Sequence, residues 1–174
     1  MKITRIAAIG LIAATVSVAG FAGCGGSDSS SASSAADATA AASEMTEAEF
    51  VAAATKVCTD VKTYVKNAAA SLDATSLESL QTFAASGAVK SKAAMAELRA
   101  ITPPAAKADA YQAFLDAKAA VVDSGLAQSA DVQVSTSIED VIAKTSTAST
   151  AEVALNTTAD TAAVAAGLPE CGGK

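Results

Sequence analysis

The residues that could do chemistry are few, because the chain has three cysteines and no histidine. Histidine is the usual acid or base near neutral pH, so its absence excludes a serine triad. The candidate carboxylate pairs are Asp109 with Asp116 and Glu139 with Asp140. Both pairs fit solvated helix faces or first-turn acids that the helix dipole favours. We therefore predict that the chain is not an enzyme, and we expect neither a metal site nor a cofactor.

The first cysteine, Cys24, follows two cations, Lys2 and Arg5, and then an apolar run. This order predicts a secretory signal peptide over residues 1–23. An uncleaved transmembrane helix is a weaker interpretation, because such a helix needs about 20 apolar residues and the uncharged stretch from Ile6 to Ala19 is shorter. A plain secretory signal is a second alternative, and it would leave Cys24 as an ordinary thiol.

The sequence Phe21-Ala22-Gly23-Cys24 resembles the lipobox of bacterial lipoproteins, with Phe21 at a place where leucine is usual. The resemblance implies a diacylglyceryl group on the Cys24 thiol and signal cleavage between Gly23 and Cys24. It also implies a mature chain that is anchored to the cell membrane on its extracytoplasmic face. Lipid alone would hold the chain there, since a second acyl chain makes release from the membrane slow.

Residues 24–45 are predicted to be a tether, because residues 25–43 are mostly Ser, Ala and Gly and contain no large apolar side chain. The chain has a net charge of −6, and removal of Lys2 and Arg5 would make it more negative. Nucleic acid is therefore excluded as a partner, because its binding depends on Lys and Arg that neutralise phosphates.

Residues 46–171 are predicted to be an all-α domain. The first helix, over about 46–71, begins at a capping box of Thr46 and Glu49 and has one wide apolar stripe. A second helix follows a similar pattern at Thr75-Ser76-Leu77-Glu78 and ends before the prolines at 103 and 104. Gly87 in its middle indicates either a close helix contact or a bend.

The third helix begins at these prolines and ends either near Gly125 or towards Ala130. Residues 132–134 are interpreted as an extended loop. A fourth helix is predicted over about 137–166, after a capping box at Thr136-Ser137-Ile138-Glu139, with a kink in its Ser/Thr-rich middle. Four helices with short connections favour an antiparallel four-helix bundle.

Cys58 and Cys171 are predicted to form a disulfide that ties the C-terminal tail to the first helix. In an antiparallel bundle the last helix returns to the end where the first helix begins. Cys58 lies about 18 Å along the first helix, and the tail after Gly167 could extend roughly 13 Å towards it. Two thiols without histidine cannot close a zinc site, and no Cys-x-x-Cys motif indicates redox activity.

Lys56-Val57-Cys58 and Pro169-Glu170-Cys171-Gly172, together with the lipobox and the tether, resemble small helical secreted proteins and lipoproteins of actinobacteria. The resemblance implies no activity. Two hypotheses follow: an interaction or structural module that contacts another envelope protein or the wall, or a carrier that binds a lipid or other apolar ligand. In the carrier hypothesis, aromatic residues of the domain line the space that holds the ligand. They are Phe50, Tyr64, Phe83, Tyr111 and Phe114.

Overall fold

The computed structural model describes residues 45–146 and 149–173, without the side chains of residues 149 and 150. The described residues are all-helical, as predicted, and Met45–Lys174 form one compact unit. The signal peptide predicted over residues 1–23, the lipidation site and the tether up to residue 44 lie outside the described residues. The helices are α1 (Glu47–Ala70), α2 (Leu77–Ala100), α3 (Ala108–Gln133), α4 (Ile138–Ser146) and α5 (Ser149–Ala165).

The capping box predicted at the start of α1 is confirmed. The Thr46 hydroxyl accepts a hydrogen bond from the Glu49 backbone, and the Glu49 carboxylate accepts one from the Thr46 backbone at 2.9 Å. A second bond, from the Thr46 hydroxyl, lowers the pKa of Glu49. Met45, the last residue of the predicted tether, packs against the core.

The caps of α2 and α4 lie one residue later than predicted. Ser76 caps α2 by accepting from the Ser79 backbone, while both donors of Thr75 bond to Asp73 in the preceding turn. Ser137 takes the same place before α4 and accepts from the Asp140 backbone. In each pair of adjacent hydroxyls the sequence pattern alone does not decide which one is used, because the turn before the helix decides it.

The third helix, α3, continues past Gly125 to Gln133, so the extended loop predicted at residues 132–134 is wrong. Carbonyl groups at a helix end lack partners within the helix, and here Gln81 from α2 donates to the Val132, Gln133 and Ser135 carbonyls at 3.1–3.4 Å. The Gln133 side chain donates in return to the Gln81 carbonyl at 2.5 Å. This reciprocal pair stabilises the last turn of α3.

In place of the predicted fourth helix the structure has α4 and α5. The kink was predicted in the Ser/Thr-rich segment between them, where residues 147 and 148 lie outside the described residues. The predicted end of this region is confirmed. Gly167 has a φ of 79°, and the Leu168 backbone donates to the Ala163 carbonyl at 2.8 Å while Gly167 donates to Val164. This is a Schellman motif, and it turns the chain so that Leu168 is fully buried.

The buried core is concentrated at one end of the unit. The first half of α1, the last third of α2, the first half of α3, the end of α5 and the tail all contribute to it. Its larger apolar members are Phe50, Val57, Met95, Leu98, Tyr111, Phe114, Leu115 and Leu168. The 3₁₀ turn Pro169–Cys171 closes this end and packs against α1 and α5. Towards the connection between α1 and α2, most apolar side chains are only half-buried.

Candidate functional site

The disulfide predicted between Cys58 and Cys171 is present. The two Cα atoms are 5.1 Å apart, both residues are buried, and the bond joins positions separated by 113 residues. The Cys171 sulfur also lies 3.6 Å from the Ala54 carbonyl oxygen. The tail is therefore fixed to the first half of α1 by a covalent bond and by packing in the core. Cys24 and Gly23, the predicted lipidation and cleavage residues, lie outside the described residues.

Three of the five aromatic residues predicted to line a ligand form one cluster in the core. Phe50 packs edge-on against Tyr111 with ring centroids 4.9 Å apart, and Tyr111 stacks on Phe114 at 5.9 Å. All three side chains are almost completely buried. The Tyr111 hydroxyl donates to the Leu98 carbonyl at 2.7 Å, and burial raises the pKa of Tyr111 to about 12. These rings fill the core by packing on one another.

Tyr64 and Phe83, the other two predicted residues, are half-buried. Phe83 lines a cavity of about 350 Å³ at the connection between α1 and α2. Its apolar surface comes from Phe83, Leu72 and Ala68, and several serines surround it. Most of these serines already bond within the local backbone: Ser71 donates to the end of α1, and Ser76 caps α2. The cavity combines an aromatic wall with a hydroxyl-rich edge.

Two of the four carboxylates considered for catalysis make helix-surface contacts, and the other two lie in the first turns of helices. Asp140 pairs with Lys144 at 3.0 Å, and hydrogen bonding to Lys144 lowers the pKa of Asp140. Asp116 accepts a hydrogen bond from Gln112 one turn before it. Asp109 and Glu139 lie in the first turns of α3 and α4, where the helix dipole favours acids.

A shallow groove between α2 and α3 was not predicted. Its volume is about 230 Å³, and Met95, Ala119, Val122 and Leu126 form its apolar floor together with Ala96. Its charged residues are Lys92 and Arg99 on α2 and Asp123 on α3. The sequence signal that could have indicated it is the spacing of residues 92, 95, 96 and 99, which lie on one side of a helix.

The C-terminal tail bonds to a charged residue of α5. Asp160 on α5 accepts a hydrogen bond from the Gly173 backbone at 2.6 Å. Burial lowers the pKa of the half-buried Lys118 on α3, and the charge of Asp160 opposes that shift. The bond from Gly173 to Asp160 holds that part of the tail against α5, so it extends the attachment that the disulfide provides.

No protein-family model matches the chain, no curated protein matches its sequence, and no solved structure matches its fold. Within residues 45–146 and 149–173, no three acidic or cysteine side chains are grouped so as to hold a metal ion. None of the helices in that part of the chain is long and apolar enough to cross a membrane. Function must therefore be inferred from the residues and from the surfaces described above.

Proposed function

We propose that this chain is a lipid-anchored protein of the cell envelope whose helical domain is a non-catalytic interaction or structural module on the extracytoplasmic face. The lipobox-like sequence Phe21-Ala22-Gly23-Cys24 supports the anchor. The Cys58–Cys171 disulfide supports an oxidising compartment, because disulfides are rare in the cytosol. The membrane is the first partner in this proposal, through a diacylglyceryl group on Cys24.

We further propose that the helices form an antiparallel four-helix bundle, with α4 and α5 together in the place of the fourth helix. Packing of α1 on α2, of α2 on α3 and of α3 on α5 supports this arrangement. The core supports it too, since the beginnings of α1 and α3 share one cluster with the ends of α2 and α5. Opposite ends of consecutive helices meet only if neighbouring helices run in opposite directions.

The observation that supports the interaction module is the contrast between a filled core and several large apolar side chains that are exposed. In the core, the ring centroid of Tyr111 lies 4.9 Å from that of Phe50 and 5.9 Å from that of Phe114. Several large apolar side chains are instead more than half exposed, namely Val89, Val134, Ile142, Val153 and Val164. Side chains of this kind mark a protein contact where they adjoin one another in a contiguous patch. The chain's negative charge keeps nucleic acid out of the proposal.

A carrier of a lipid or other apolar ligand is the second candidate. The cavity of about 350 Å³ beside Phe83 supports it, because small-molecule sites usually measure about 300–1,000 Å³. In this version the ligand contacts Phe83 and Leu72 at the less densely packed end of the domain. The tightly packed cluster of Phe50, Tyr111 and Phe114 then has a structural role only.

The two candidates can be separated in one experiment on the full chain in cells. A photo-reactive amino acid replaces Val89 or Val164, both exposed, and the irradiated membrane fraction is analysed by mass spectrometry and by organic extraction. The interaction module predicts one recurrent protein adduct that Cys24→Ser abolishes by removing the anchor. The carrier predicts one apolar molecule per chain, lost in Phe83→Ala. A chain with neither adduct nor extracted ligand would contradict both candidates.

A further inference from the structure

We propose that the groove between α2 and α3 binds an acidic amphipathic helix of a partner protein. This inference rests on the proposed interaction function and names the surface and the chemistry of its partner. The groove is formed by Lys92, Met95, Ala96 and Arg99 on α2 and by Ala119, Val122, Asp123 and Leu126 on α3.

The spacing of the groove residues indicates that a helix fits there. On α2 they lie at positions i, i+3, i+4 and i+7, and on α3 they repeat at the same intervals. This spacing gives each helix a straight row of side chains along its surface, as at a seam between packed helices. Two such rows with an apolar floor between them form the kind of groove that receives the apolar face of a third helix.

The size of the groove favours a helix over a small molecule. Its volume of about 230 Å³ is below the range of about 300–1,000 Å³ that is usual for small-molecule sites. Met95 is buried beneath it, and Ala119 and Val122 are half-buried against the core, so the floor is fixed. A ligand must therefore insert only a few apolar side chains and leave most of its body outside the groove.

The charges around the groove select the partner's polar residues. Lys92 and Arg99 are both exposed, and neither belongs to an ion pair described for this chain. They are two helical turns apart, or about 10 Å. The chain carries a net charge of −6, so this pair is a local basic site on an acidic protein. Asp123 is the acidic group on the opposite side, so the partner's acids must lie along α2.

The geometry therefore specifies the partner helix. Acidic side chains at positions i and i+7 face Lys92 and Arg99, and apolar side chains at i+4 and i+8, on the adjacent side of the partner helix, enter the groove. Arginine forms directional, charge-assisted bonds with carboxylates, so Arg99 fixes the position of one acid along the groove. A neutral or basic residue of the partner lies beside Asp123.

The test uses a dye-labelled, alanine-based helical peptide with Glu at i and i+7 and photo-leucine at i+4 and i+8. Its binding to the full chain in nonionic detergent is measured by fluorescence anisotropy, and the cross-linked residues are mapped by mass spectrometry. The proposal predicts cross-links to α2 and α3 at the groove. It also predicts at least tenfold weaker binding when both Glu residues are Gln.

Matched variants separate a local contact from a general charge effect. The double variant Lys92→Glu/Arg99→Glu is expected to weaken binding at least tenfold. Lys62→Glu/Lys66→Glu makes the same change in net charge at two exposed positions of α1 and is expected to change the affinity less than twofold. Circular dichroism checks that both variants keep their helices.

Three results would overturn the groove as the binding site: no binding at millimolar peptide, equal binding of the Gln peptide, or equal weakening by both double variants. Cross-links that map to another helical face would also overturn it while leaving the interaction function standing. Self-association of the free chain that the peptide competes with would instead assign the groove to a second copy. Absence of any protein adduct in cells, by contrast, would count against the interaction function itself.

Discussion

At the scale of single residues, Tyr111 joins three parts of the domain. Its ring contacts Phe50 on α1 and Phe114 on α3, and its hydroxyl donates to the carbonyl of Leu98 near the end of α2. The Leu98 carbonyl also accepts from the Ile101 backbone. A carbonyl near a helix end needs such partners, so Tyr111 both fills the core and satisfies part of that requirement.

Tyr111→Phe should lower the free energy of unfolding by about 1 kcal/mol, because a buried hydrogen bond is lost while the ring contacts remain. The loss of unfolding free energy is no larger because the Leu98 carbonyl keeps its hydrogen bond from the Ile101 backbone. Urea unfolding followed by circular dichroism measures it. Tyr64→Phe is the matched control, because Tyr64 is only half-buried. Equal stability of wild type and Tyr111→Phe would show that the hydroxyl contributes nothing.

The same residue predicts a dependence on alkaline pH. Burial raises the pKa of Tyr111 from 10.0 to about 12, so the folded state favours the protonated phenol. Its contribution to stability is complete below pH 10 and is lost as the pH rises through about 12. The stability difference between wild type and Tyr111→Phe should therefore shrink across this window. A difference that stays constant up to pH 12 would contradict the burial of an un-ionised phenol.

Which residues could be predicted from the sequence depended on how far apart the partners lie. The Thr46–Glu49 cap and the Gly167-Leu168-Pro169 end are local patterns, and the sequence was sufficient for both. The Gln81–Gln133 pair joins positions 52 residues apart, and no local rule indicates it. For the same reason the sequence could not predict that Phe83 lies apart from the core cluster of Phe50, Tyr111 and Phe114.

At the scale of elements, the glycines of α2 and α3 differ from the glycine after α5. A Cβ atom at Gly87 or Gly125 would meet nothing within 4 Å, whereas Gly167 has a φ of 79°. The close helix contact considered for Gly87 is therefore absent at that position. Helix propensity alone does not determine where α3 ends. The helix continues through Gly125 to Gln133, where the Gln81 side chain donates a hydrogen bond to the Gln133 carbonyl and stabilises the last turn.

Gly87→Ala and Gly125→Ala should each raise the free energy of unfolding by up to about 1 kcal/mol, because alanine favours the helix and has room for its Cβ atom. Gly167→Ala should lower it by about 1 kcal/mol or more, since a left-handed φ strains alanine. Thermal unfolding of the three variants and of the Gly87→Ala/Gly125→Ala double variant measures these changes. Destabilisation by Gly87→Ala would indicate a contact that the described packing lacks.

At the scale of the whole molecule, the core lies at one end and the disulfide closes that end. Alanine-rich helices bury little area per residue, so the apolar contribution to stability is modest. The tail adds Leu168 and Cys171 to the core, and the disulfide keeps them there. The disulfide could be predicted from the sequence on the assumption of an antiparallel bundle, in which the tail after Gly167 extends towards Cys58. The groove between α2 and α3 needed the structure, since its two walls come from different helices.

Cys58→Ser/Cys171→Ser should lower the free energy of unfolding by roughly 4–5 kcal/mol, because the bond closes a loop of 113 residues that is expensive to order without it. Such a loss is a large share of the roughly 5–15 kcal/mol typical of a domain. Urea unfolding with and without reductant measures it. Reductant should reproduce the loss in wild type and leave the double variant unchanged. A loss below 1 kcal/mol would contradict the stabilising role of the bond.

The central claim is that the helical domain is held on the membrane by a lipid on Cys24 and closed by the Cys58–Cys171 bond. Intact mass spectrometry of the membrane fraction from cells that express the full chain tests both parts together. The account predicts a chain that begins at Cys24, carries a diacylglyceryl group and a further acyl chain, and weighs two hydrogens less than its reduced form. The Cys24→Ser variant should lack the lipid mass. An unmodified chain in the soluble fraction would contradict the account.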